Sequence, residues 1–157
     1  MPNCEFPPPG RFWMFLTDLH EPEENSLRVA VAEAIAVQRS ESTSGPVSSM
    51  APILITSDSR RFELVWRDYV GYSVRNESFA QSDKDGPSSV GAFSERNSPA
   101  YLRFLEETTF ATSVVQKPMR HWAINCLNHC IDVVSFDAPI IREIGNSVEN
   151  KISARSN

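Results

Sequence analysis

The sequence predicts an α+β fold, an antiparallel sheet of hairpins with one or two packed helices, in a chain of 157 residues. Three observations carry that prediction. Residues 61–67 (RFELVWR) and 69–77 (YVGYSVRNE) alternate apolar and polar side chains at the period of two that a half-buried strand imposes. Residues 121–136 (HWAINCLNHCIDVVSF) hold two apolar runs around Asn128-His129 and are rich in β-branched residues after Cys130, which favours a hairpin over a helix. Residues 26–38 and the stretch after Ser98 instead space their apolar residues as helices do.

Taken in order, the chain opens on a Pro-rich stretch and an apolar clump, Phe12, Trp13, Met14, Phe15 and Leu16, which is expected to dock on the core. Residues 26–38 (SLRVAVAEAIAVQ) are expected to be a helix capped by Asn25 or Ser26. Leu27, Val31, Ala34 and Ile35 would share its buried face, and four alanines raise its propensity. Residues 39–52 are rich in Ser, Gly and Pro and read as a flexible connector. The expected organisation is therefore 1–52 as an N-terminal segment with helix and linker, 53–144 as the core domain, and 145–157 as a flexible tail.

Within the core, residues 53–56, 61–67 and 69–77 are expected to pair as a three-stranded meander, with Phe62, Leu64 and Trp66 on one face. Residues 80–97 are polar and turn-rich and read as a long loop. Ser98 and Pro99 suit a helix start, followed by an apolar stripe of Tyr101, Leu102, Phe104 and Leu105. The final hairpin, turned at Asn128-His129, would pair Asn125 with Asp132 and Ile124 with Val133. It would set Ile124, Cys126, Ile131 and Val133 on one apolar face.

Composition limits the function classes. The chain is 41% hydrophobic and 22% charged, which suits a folded globular domain. The formal net charge is −5, and residues 1–52 hold three basic against seven acidic side chains. Nothing resembles the basic stripe that a nucleic-acid binder uses to displace counterions. No window reaches the roughly 20 apolar residues of a membrane helix, and the start lacks the pattern of a signal peptide. The expectation is a cytoplasmic protein that binds neither nucleic acid nor membrane. Three cysteines, Cys4, Cys126 and Cys130, are too few for a disulfide scaffold and read as reduced thiols.

The segments FELVWRDYVGYSVRNESFA, AYLRFLEETTFAT and RHWAINCLNHCIDVVSFDAP resemble a family of small bacterial proteins of uncharacterised activity. The resemblance covers about residues 53–141 and rests on Tyr72, Val74, Arg75, Asn76, Glu77, Ser78, His121, Asp132 and Ser135. It departs around residues 81–97 and does not extend to the N-terminal third. It implies an α+β unit and carries no activity.

Chemistry has three candidate locations. His121, Cys126, His129 and Cys130 have zinc-ligand identities, but the paired Cys-x-x-Cys spacing is absent and a hairpin sends Cys126 and Cys130 to opposite faces. No metal and no cofactor are expected. Strand geometry likewise separates the neighbouring Cys and His of a nucleophile–base pair. The remaining candidate is a polar face built from Tyr69, Ser73, Arg75, Asn76, Glu77, Asn125 and Asp132, which could hold a ligand or partner. A polar solvent face is also what any antiparallel sheet needs. No phosphate loop, G-x-S-x-G or H-E-x-x-H motif occurs. The leading expectation is a non-enzymatic module that binds a protein or a small ligand, by analogy with acidic immunity proteins and antitoxins. The alternative is a small hydrolase or isomerase with Glu77 and His121 as its catalytic pair.

Overall fold

The computed structural model describes residues 6–7, 13–37, 51–81, 92–96 and 99–145. Its first hairpin joins β1 (Met14–His20) to β2 (Ser26–Glu33). The helix expected over 26–38 is thus corrected to a strand, followed by the short β3 (Ile35–Ala36). The physical reason is that both of its faces are buried. Leu27, Val29 and Val31 are fully buried on one face, and the small Ala30 and Ala32 are buried as well. A strand buried on both faces loses the polar half of its alternation, so alanine's helix propensity misled the reading and tertiary packing overrode it. Asn25, at φ 61°, takes the left-handed conformation that Asn tolerates and delivers the chain into β2.

β4 (Ile53–Leu54) pairs with β3 as a small separate ribbon. β5 (Arg61–Arg67) follows its alternation, with Phe62, Leu64 and Trp66 buried. β6 (Tyr69–Asn76) comes next, but the expected meander is corrected: β5 pairs with β2, and β6 belongs to another sheet. Asp68, at φ 57°, lies between them and turns the chain from one sheet to the other. Part of the loop expected over 80–97 is a strand, β7 (Phe93–Arg96). Its ring of Phe93 stacks on Trp122 at 5.8 Å and 5°. The expected cap Ser98 lies outside the described residues, as do residue 38 of the expected N-terminal helix, 39–50 of the expected linker and 146–157 of the expected tail.

The helix after Ser98 forms as α1 (Pro99–Thr108), with a one-turn α2 (Ala111–Val114) behind it. β8 (Arg120–Asn125) and β9 (His129–Ser135) make the expected final hairpin. Its register differs by two residues. Asn125 faces Cys130, and Asp132 faces Ala123 rather than Asn125. The Cys126 amide donates to the His129 carbonyl at 2.8 Å, so Leu127 and Asn128 form the turn. A two-residue shift preserves the faces, and Ile124, Cys126, Ile131 and Val133 do share the core side. β10 (Ile140–Ile144) returns to pair with β5.

Antiparallel strands dominate this architecture and helices are few. One sheet has the order β1-β2-β5-β10 and the other β6-β9-β8-β7. Residues 14–33 therefore supply two of the four strands of the first sheet. One buried cluster joins Leu27, Val29, Val31, Phe62, Leu64 and Trp66 of the first sheet to Trp122, Ile124, Ile131 and Val133 of the second. The apolar clump docks as expected at Met14 and Leu16, while Trp13 is exposed. Asn128, at the β8–β9 turn, accepts from the Leu16 amide at 2.9 Å and donates to its carbonyl at 3.1 Å, fastening the second sheet to the first. α1 lies on the opposite face of the second sheet. There a Cβ on Gly71 would stand 2.8 Å from Leu105 Cδ2, so only glycine allows this approach.

Candidate functional site

The helix-covered face of the second sheet carries the alternate residues that the core does not use. On β6 these include Ser73 and Arg75, on β9 Asp132, and on β8 His121. Ser73 stands opposite Asp132 in the β6–β9 ladder. α1 adds Ala100, Tyr101 and Phe104, and the seven residues line a cleft of about 310 Å³.

Asp132 is its centre. Its Oδ1 accepts from His121 Nε2 at 2.8 Å, and its Oδ2 accepts from Arg75 Nη2 at 2.7 Å. Both oxygens of the carboxylate are therefore engaged by donors. Burial alone would raise the Asp132 carboxyl, but the His121 hydrogen bond and the Arg75 charge together outweigh it and hold the group below its ordinary value. The His121 and Asp132 side chains are 1% and 8% exposed, whereas Arg75 is 43% exposed. A carboxylate only accepts, so His121 must carry its proton on Nε2. Its Nδ1 is buried and has no hydrogen-bond partner among the described residues. Tyr101 packs its ring against His121 at 5.4 Å. Burial raises the Tyr101 phenol above its usual value, which keeps it protonated. The Tyr101 and Phe104 rings stack at 6.4 Å and 15° on successive turns of α1.

Of the residues singled out by sequence, Ser73, Arg75, Asp132 and His121 come together. The others do not join them. Tyr69 donates to Glu21 at 2.6 Å, and that hydrogen bond, with burial, pushes its phenol up to about 12. Asn76 accepts from the Ser78 amide and caps the 3-10 turn Glu77–Phe79. Asn125 accepts from Arg96 Nη2 at 3.3 Å. Glu77 does not line the cleft, and the carboxylate that pairs with His121 is Asp132, not Glu77. The expected Asn125–Asp132 pair fails for the register reason given above. Sequence reasoning missed Ala100, Tyr101 and Phe104. The signal was the breadth of the α1 stripe, which is wider than burial of Leu105 alone requires.

Cys126 lies in the core and Cys130 on the other face, as strand parity demands. Burial pushes the Cys126 thiol up to about 12, and burial also raises Cys130. Among the described residues, no three His, Cys, Asp or Glu side chains converge as a metal site, and no helix is long and apolar enough to cross a membrane. Comparison with family models, with curated proteins and with solved structures finds no match to this chain.

Proposed function

We propose that this α+β domain is a non-enzymatic binding module, cytoplasmic in location, which holds a small ligand in the cleft between α1 and the β6–β9–β8 face. One observation carries the reading: a concave site whose polar groups are already fixed. The Arg75–Asp132–His121 chain is held by its own hydrogen bonds, so little side-chain entropy remains to be lost on binding. The cleft, at about 310 Å³, is at the small end of the range for ligand pockets. A few convergent polar groups beside two aromatic rings fit the general make-up of such sites.

The catalytic alternative has weaker support. An oriented His–Asp pair is half of an acid–base relay, but the other ring nitrogen of His121 is buried, where a nucleophile in the cleft does not reach it.

Amide and methyl NMR spectra of the full chain, titrated with a mixture of small ring compounds, test the proposal. Ligand-dependent shifts should cluster at Ser73, Arg75, Tyr101, His121 and Asp132. Shifts confined to the first sheet, or none at millimolar ligand, would sink it.

A further inference from the structure

We infer that the ligand class of this cleft is a small monoanion, a carboxylate carried on a single flat ring. The inference rests on the binding reading above and adds charge, shape and size to it.

Charge comes from Arg75. Its guanidinium has five N–H donors in a planar fork, and only Nη2 is used, on Asp132. Nε and Nη1 hold no hydrogen bond among the described residues, and the side chain is partly exposed at the cleft. Asp132 is 8% exposed against 43% for Arg75, so the guanidinium is the member of the charged pair that a ligand meets. A carboxylate matches that fork with two parallel bonds.

Shape comes from α1. The Tyr101 and Phe104 rings form one wall, and Phe104 is 55% exposed despite its apolar ring. A flat ring laid along that wall would cover it and gain an offset-stacking contact.

Size comes from volume. The cleft holds about 310 Å³, or on the order of ten water molecules at about 30 Å³ each. That accommodates one ring and one carboxyl group.

Benzoate, benzamide, benzylamine and cyclohexanecarboxylate are suitable probes, each titrated into the full chain and followed by NMR. Benzoate should shift the cleft residues and bind about tenfold or more tighter than benzamide, its uncharged isostere, the factor expected for one charge-assisted hydrogen-bonded pair. Cyclohexanecarboxylate should bind several-fold more weakly than benzoate. Arg75→Gln should erase the preference for benzoate over benzamide, and Phe104→Ala should erase the preference for the flat ring. If benzamide or benzylamine binds the cleft as well as benzoate, the anion assignment falls while the binding module stands. If no probe moves the cleft residues, both fall. Should Arg75→Gln fail to fold, the benzoate-to-benzamide ratio on the unaltered chain still decides the question.

Discussion

At Asp132, one carboxylate satisfies a buried imidazole and a half-exposed guanidinium at once. Asp132→Ala should therefore cost about 1–3 kcal/mol in urea unfolding at neutral pH, mostly because His121 would be left buried with neither ring nitrogen bonded. The pH dependence has a definite sign. The folded-state carboxyl lies below its ordinary value, so its contribution is present above the unfolded value of about 3.9 and is lost as pH falls through the folded one. The stability gap between the native chain and Asp132→Ala should hold steady on acidification to about pH 4 and close below it. A gap that widens there would contradict the assignment. Cys126 makes a second residue-level prediction. With its thiol pushed up to about 12 by burial, it has almost no thiolate at neutral pH. Iodoacetamide followed by peptide mass spectrometry should label half-buried Cys130 in the native protein and reach Cys126 only on unfolding.

At the scale of elements, α1 depends on a single close approach. Gly71→Ala would set a methyl group against Leu105 and should destabilise by ~1 kcal/mol, the low end for overpacking because the obstacle is the tip of a side chain. Combining it with Leu105→Ala should cost less than the sum of the two changes, since the cavity receives the methyl. A thermal-unfolding cycle over the four proteins measures this. Asn128→Ala removes both side-chain bonds to Leu16. It should cost roughly 1–2 kcal/mol and speed hydrogen exchange at the Leu16 amide. These elements also mark what the sequence made legible. β5 alternates cleanly because one of its faces is apolar and the other polar, and it was read residue for residue. The β8–β9 hairpin was legible in its faces, but not in its register. Parity fixes the faces, whereas turn length fixes the register, and Leu127-Asn128 is not a strong turn pair. β2 was read as a helix because Ala30 and Ala32 fill the face where polar residues would have announced a strand. Of the site, Arg75, Ser73, His121 and Asp132 were visible as polar residues on strands. Their partners on α1 were not, because no local pattern tells which sheet face a helix will cover.

At the scale of the whole molecule, the two sheets are held together by the shared apolar cluster, by the direct passage through Asp68 from β5 to β6, and by hydrogen bonds from the β8–β9 turn to β1, those of Asn128 with Leu16 and that of the Leu127 amide with the Met14 carbonyl among them. Chemical unfolding should accordingly follow one transition, coincident by tryptophan fluorescence, whose buried reporters are Trp66 of the first sheet and Trp122 of the second beside the exposed Trp13, and by far-UV circular dichroism. Two separated transitions would mean that the sheets melt independently. The return of β10 to β5 also sets an order in time. Protein synthesis delivers β1, β2 and β5 first, then all of the second sheet, and only then the strand that closes the first. While residues 68–139 leave the ribosome, β5 waits with one edge unpaired. A nascent chain halted before Ile140 therefore carries an open template for intermolecular pairing, and in the finished chain that edge is covered by a strand bearing Arg142 and Glu143.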